Sequence, residues 1–394
     1  MSFAFAVPPG VAPAWDAVVL RGGVVVHASS GETQAPGGTP APGGTPVPGS
    51  VPGAAPLIFD VSSLTKVMAT GTLTALLVKE GRIRLDAPAV EWLPRFRGGG
   101  KERVTVRQLL AHSSGLPWWR PWFERAMADP VAGRAFLPPA ERPGDLAAAF
   151  ARGREVVAEA LWEEPLEVDP GTRALYGDPA FLALGLLVEA AAGAPLDRLF
   201  AERVAVPMGL GDTFFVGEGR LAAGQGPCAG RRYAPTERCP HRGEVNQGTV
   251  NDDNAWAVGG VAGHAGLFST AGNVARLGQE WLLALEGRGR ILDAKVAREF
   301  ARRDPTPGSE RALAWDTPSA PGSAVTSSIG SVLGRGPLGA IGHLGYTGCS
   351  LWIDRDRQLV CALLTNHVFP GGRRPAEILA VRQAFHDAAA GAVG

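Results

Sequence analysis

Apolar positions along the chain fall into short valine-rich runs, helical repeats and one long polar gap. Residues 17–27 are rich in valine on both sides of a Gly22-Gly23 pair, the pattern of two short strands joined by a tight turn. Residues 57–60 read as a strand leading into a helix over about 63–80, with Gly81 as its stop. Leu64, Val67, Met68, Leu73, Leu76 and Leu77 cover more than one face of that helix, which places it at the centre of the molecule, packed on both sides. Helical spacing returns at 106–112, 154–161 and 179–192. Towards the end, a helical pattern at 273–286 is followed by strands at 350–353 and 359–365 and a last helix at 376–389. This order predicts an α/β unit built from both chain ends, residues 1–82 and 256–394, around an all-helical lobe at 83–255. Residues 31–56 interrupt the pattern: Gly, Pro and Thr dominate, and Ala-Pro-Gly-Gly-Thr-Pro occurs twice, from Ala35 and from Ala41. Such a stretch buries too little to order itself and is expected as a flexible inserted loop, not as a solenoid.

Composition narrows the function. A chain of 394 residues with 45% hydrophobic side chains buries a large core. Lys plus Arg equals Asp plus Glu at 38 each, so no net field draws the protein to nucleic acid or to an anionic membrane, and a small-molecule partner fits better. Cys228, Cys239, Cys349 and Cys361 form no C-x-x-C pair, which argues against a zinc ribbon or a thioredoxin-like centre and for a reducing compartment. The first residues lack the basic start and apolar run of a signal peptide, and no apolar run reaches the roughly 18 residues of a bilayer span, so a cytoplasmic location is expected. Oligomeric state is not legible.

The chemistry centres on Ser63-Leu64-Thr65-Lys66. Three residues of separation at a helix start put the hydroxyl and the amine on one face. Burial would lower the Lys66 pKa and leave neutral amine to accept the serine proton, while the helix N-terminus favours negative charge at Ser63. Taken alone, the same spacing fits an N-capping serine and a surface lysine. Two further short motifs follow, Tyr176-Gly177-Asp178 before an apolar helix and His343-Leu344-Gly345 among the last strands.

With these motifs the chain resembles the serine β-lactamase and penicillin-binding-protein-like superfamily, in its class C-like branch of β-lactamase-related esterases and D-amino-acid peptidases. The stretches that carry the resemblance are Phe59-Asp60-Val61-Ser62-Ser63-Leu64-Thr65-Lys66, Leu109 to Pro117, Tyr176-Gly177-Asp178, and Gly259 to Thr270. They run in family order across most of the chain. The resemblance implies an antiparallel sheet flanked by helices. It implies Ser63 as nucleophile, Lys66 as proton acceptor and Tyr176 as a second proton shuttle, with an acyl-enzyme on Ser63 and no metal or organic cofactor. It also implies an oxyanion hole from the N–H groups of Ser63 and Tyr346, with Gly345 letting the substrate backbone approach. His343 departs from the lysine usual at its place, so a fixed cation becomes a group that is often neutral at pH 7 and holds a carboxylate only weakly. Asp178 departs from the usual asparagine; its place before Pro179 predicts an N-cap, and a pairing with Lys66 would oppose the use of that amine as a base.

Other features stay open or fall short. Trp118, Trp119, Trp122 and Phe123 either line an acyl pocket or belong to the core. Residues 251–254, Asn-Asp-Asp-Asn, do not match a Ca²⁺ loop and read as a polar turn, and Cys228, Cys239 and His241 make no complete metal set. Cys349 and Cys361 are equidistant from Arg355 in a hairpin, a placement that lets them face each other, with free buried thiols the reading preferred. His264 either borders the site or holds a loop. G-x-S-x-G and H-E-x-x-H are both absent. The sequence therefore points to hydrolysis of a small ester or amide, short-chain esters first, with D-alanyl peptides or β-lactams as further candidates. The competing reading is a silent module that binds penicillin or peptidoglycan fragments.

Overall fold

The computed structural model describes residues 3–8, 10–32, 55–217, 231–319, 329–372 and 374–392. Most of the expected flexible loop (33–54), and Cys228, lie outside the described residues.

The valine-rich hairpin forms as Ala14–Arg21 and Val24–Glu32, turning on Gly22 and Gly23, both at positive φ. It extends an antiparallel sheet of five strands in the order Val24–Glu32, Ala14–Arg21, Leu359–Thr365, Ser350–Asp354, Ala340–Leu344. The two ends of the chain thus pair directly, from Trp15 opposite Thr365 to Arg21 opposite Leu359. Alternation along the strands assigns the faces. Ala17, Val19, Cys361 and Leu363 lie under the helix Pro375–Gly391, against Ile378, Val381 and Phe385. Val18, Leu20, Leu351 and Ala362 face the other way, under the helix Ala271–Leu285 with its buried Val274 and Trp281. Cys361 is opposite Trp352 in the register, so it does not face Cys349; both thiols are free and buried.

A second sheet carries the site. Its order is Phe214–Phe215, Leu267–Ser269, Leu57–Asp60, Arg232–Tyr233, so the middle of the chain supplies strands as well as helices. The span 83–255 is mainly helical, with Val106–Leu110, Trp122–Ala128, Ala147–Glu163 and Asp178–Ala192. Short strands interrupt it at Phe214–Phe215, Arg232–Tyr233, Arg238–Cys239 and Glu244–Val245. Two residues cannot show an alternating pattern, which is why the sequence reading took the lobe as all helix.

The helix after Leu57–Asp60 is buried on every side: Leu64, Val67, Met68, Leu73 and Leu77 expose nothing. Its first part, Lys66–Gly71, is wound as a wide π turn before regular helix takes over at Thr72–Lys79. Such turns are rare and concentrate at functional sites. The run Gly259 to Thr270 docks on the helix Asp178–Ala192 by glycine contact. A Cβ on Gly263 would sit 2.0 Å from the Phe181 carbonyl oxygen, and one on Gly185 would sit 2.9 Å from the Gly263 Cα. That approach brings His264 and Asp178 to the same side of the central helix.

Candidate active site

Leu57–Asp60 delivers Ser63 through a tight turn in which Ser62 adopts the left-handed region at φ 49°. A non-glycine residue there persists only when its surroundings hold it. Asp60, 2% exposed, does so: Oδ1 accepts from the Ser62 N–H at 2.8 Å and Oδ2 from the Asn251 N–H at 2.7 Å. Burial pushes the Asp60 carboxyl up to about 6, against the pull of those two N–H groups. Thr347 ties the turn to the loop after Ala340–Leu344. Its hydroxyl donates to the Asp60 carbonyl at 2.8 Å, and the Ser62 hydroxyl donates to Thr347 Oγ1 at 3.2 Å.

Gly345 belongs to the same junction. A Cβ there would lie 2.6 Å from the Val61 carbonyl oxygen and 3.5 Å from the Ser62 Cβ. The glycine expected to admit the substrate backbone is thus required by the protein's own nucleophile turn.

The helical spacing brings Ser63 and Lys66 together as expected. Lys66 Nζ donates to Ser63 Oγ at 2.8 Å, to Asp178 Oδ1 at 2.6 Å and to the His264 carbonyl at 3.2 Å, and its side chain is fully buried. Asp178 is therefore an ion-pair partner and not an N-cap; the cap position is Gly177, and no side chain caps that helix. Burial pulls the Lys66 pKa down, but the Asp178 carboxylate, with a smaller contribution from Tyr176, overrides it and holds the amine above its ordinary value. The neutral lysine expected from burial alone is replaced by an ammonium, because a carboxylate was buried with it.

Tyr176 closes over this pair. Lys66 Nζ lies 5.2 Å from the centre of its ring, and the Arg311 guanidinium lies 4.7 Å from it. His112 and His343 flank the ring, with centroids 4.6 and 5.8 Å away. His112 Nδ1 accepts from the Gly177 N–H at 3.1 Å, and burial, helped by the nearby Arg311 and Lys66 charges, keeps this histidine neutral. His343 is 1% exposed, and burial pulls its pKa down to about 4. Its Nδ1 donates to the Leu344 carbonyl at 2.8 Å, which leaves Nε2 as a buried lone pair with no partner among the described residues.

These groups open into a cavity of about 650 Å³ whose wall includes Ser63, Tyr176, Asp178, His343, Gly345 and Tyr346. Trp118, 61% exposed, stands at its mouth with the half-buried Trp119, and Phe123 also lines it, whereas Trp122 is buried in the core. His264 is a border residue of the cavity: Nε2 pairs with Asp252 Oδ1 at 3.0 Å. Asp252 also caps the helix Asp253–Ala257, accepting from the Ala255 N–H. Asp178, Asp252 and His264 present ligand atoms within 4.8 Å of one another, and the positive charge that meets Asp178 here is the Lys66 ammonium. Sequence reasoning missed Asp60, Arg311 and Asp316. The last two form a buried ion pair beside Tyr176 and His343. Asp60 lies in the Phe59–Lys66 stretch without a local cue to its role, and the five-residue separation of Arg311 and Asp316 matches no motif.

A serine hydroxyl bound to a buried lysine one turn further on, under a tyrosine and beside an antiparallel sheet, defines the serine hydrolases of Ser-x-x-Lys type. A family model described as Beta-lactamase matches residues 8–385, and the chain belongs to that family, within its class C-like group. A protein of Salmonella agona (strain SL483) named "Putative D-alanyl-D-alanine carboxypeptidase" is 28% identical over 331 residues, 78% of this chain and 69% of that protein. In fold the chain is similar to EstCE1, a hydrolase with promiscuous acyltransferase activity (TM-score 0.64, 19% identity, 96% of this chain and 94% of that one). It is also similar to the octameric penicillin-binding protein homologue from Pyrococcus abyssi (TM-score 0.63, 19% identity, 93% and 72%). A D-stereospecific amidohydrolase from Streptomyces sp. matches with a TM-score of 0.57 at 19% identity over 94% of each chain.

Proposed function

We propose that the protein hydrolyses an ester or amide through an acyl-enzyme on Ser63. The observation that carries this reading is the chain Ser63 Oγ, Lys66 Nζ, Asp178 Oδ1, with contacts of 2.8 and 2.6 Å at the foot of an open cavity. As an ammonium, Lys66 cannot accept the serine proton unless it passes one on, and Asp178 is the acceptor in contact. Attack of Ser63 Oγ on the carbonyl carbon therefore moves one proton from hydroxyl to Lys66 and one from Lys66 to Asp178. Lys66 stays charged beside the developing alkoxide. The proton returns to the leaving alcohol or amine, with Tyr176 bridging Lys66 and the leaving atom, and water enters by the reverse route to release the acid. The N–H groups of Ser63 and Tyr346 are the assigned oxyanion donors.

The relatives' names span carboxypeptidases, amidohydrolases and esterases. With His343 neutral, short-chain esters rank first as substrates in vitro, ahead of β-lactams. The Lys66–Asp178 ion pair, which stabilises the ammonium, is the observation that favours a silent binding module. Labelling with a fluorophosphonate and turnover of p-nitrophenyl acetate separate the two readings. Label and turnover that both vanish in Ser63→Ala support catalysis; no label and no turnover by the intact protein would leave the binding module.

A further inference from the structure

The cavity above Ser63 has an uneven charge balance. Asp178, Glu237, Asp252, Asp253 and Asp316 line it, against Arg311 and Arg382, with Lys66 fully buried behind Ser63 and Asp178. Two of those cations are already matched, Lys66 with Asp178 and Arg311 with Asp316. Arg382, 2% exposed, is turned to the chain itself and donates to the carbonyls of Gly345, Gly348 and Cys349. Of the remaining carboxylates, Asp252 meets His264 and Asp253 meets the buried Arg242. Glu237 is held by a neutral donor, Asn251 Nδ2 at 2.8 Å, and feels the buried Arg242, which is paired with Asp253, only through space. An anionic group entering this space meets cations already committed to other groups and, in Glu237, a carboxylate held only by a neutral donor.

His343 points the same way independently. Where the family resemblance leads to the expectation of a lysine, His343 offers a lone pair: Nδ1–H is engaged by Leu344, and Nε2 is buried in the cavity wall with no donor among the described residues. A buried acceptor left unmade costs about 1–3 kcal/mol, so the group that completes it must bring an N–H or O–H. A carboxylate brings neither. The Trp118 ring at the mouth, largely exposed, and Trp119 beside it supply π faces suited to an ammonium.

We propose that the pocket selects substrates presenting a protonated amine, of the class of α-aminoacyl amides and esters, and turns away those presenting a free carboxylate. This rests on the serine hydrolase reading and names the substrate class for it. Glu237 attracts the ammonium by charge, and His343 Nε2 accepts a substrate N–H.

The test compares the p-nitroanilides of alanine, N-acetylalanine and N-succinylalanine, cationic, neutral and anionic, in both D and L forms at pH 7. Expected is a kcat/KM at least tenfold higher for the free amine than for the acetyl compound, with the succinyl compound lowest. The ratio of cationic to anionic substrate should fall several-fold in Glu237→Gln and in 0.5 M NaCl. A second measurement needs no variant: alaninamide should inhibit p-nitrophenyl acetate hydrolysis competitively, and N-acetylalanine should not. Equal rates for the three anilides, preference for the succinyl compound, or stronger inhibition by N-acetylalanine would overturn the inference. If acetate turnover still depends on Ser63 in that case, only the amine preference has failed. If no Ser63-dependent turnover exists, the hydrolase reading has failed and takes this inference with it.

Discussion

Asp178→Asn isolates the contribution of one charge at the heart of the site. The amide keeps an oxygen within reach of Lys66 Nζ but removes the carboxylate that offsets the burial of that amine. Lys66 exposes no side-chain surface, so an ammonium left there has no water to turn to. Breaking a buried pair by removing one partner costs about 3–5 kcal/mol. Desolvation, left unopposed, pulls the Lys66 pKa below its ordinary value. The cost of the broken pair is a large share of the roughly 5–15 kcal/mol that holds a domain folded.

The pH dependence changes sign with the substitution. In the native protein Lys66 sits above its unfolded pKa, so the stability it contributes is fully present below about 10.4 and is lost as pH rises through the higher folded value. In the variant the folded pKa falls below the unfolded one. The unfolded chain then binds more protons between the two values, and stability rises with pH there by about 1.4 kcal/mol per unit. Urea unfolding at pH 7 and pH 9.5 reads both effects. Turnover of p-nitrophenyl acetate at pH 7 should drop by about 10²–10⁴, the usual worth of a positioned proton carrier. A stability change under about 1 kcal/mol with no new pH slope would refute the ion pair. Faster turnover would refute the relay, because a neutral Lys66 would then suffice without Asp178.

Three further outcomes are expected. Asp60→Ala orphans the N–H groups of Ser62 and Asn251, each worth about 1–3 kcal/mol when buried, so calorimetry should show a large drop in Tm and acylation should slow as the Ser62 turn relaxes. Gly345→Ala drives a Cβ to 2.6 Å from the Val61 carbonyl; a loss of about 1–3 kcal/mol and a fall in kcat larger than any rise in KM are expected, whereas a substrate-approach role would raise KM alone. His343, held at about 4, takes up its proton in the unfolded chain first, so stability should fall as pH drops from 6.5 towards 4 by about 3 kcal/mol in total. His343→Gln should flatten that part of the urea-derived stability profile, and an unchanged slope would contradict the burial argument.

The sequence by itself determined the longer elements and the nucleophile pair, though not the two-residue strands of the middle lobe. Local spacing was sufficient for both: valines around Gly22-Gly23 become the hairpin, the apolar run from Leu64 becomes a buried helix, and three residues along a helix put Ser63 beside Lys66. Charge states and partners were decided only by tertiary structure, because they depend on what lies across space. Burial alone made Lys66 a neutral amine; the arrival of Asp178, 112 residues later, made it an ammonium and took Asp178 away from its expected cap. Gly345 changed role for the same reason, since its lack of a side chain is required by Val61, a contact no local pattern announces. The roles of Asp60, although it lies inside the Phe59–Lys66 stretch, and of the Arg311–Asp316 pair became legible only once the fold had put them against the Ser62 turn and the Tyr176 ring.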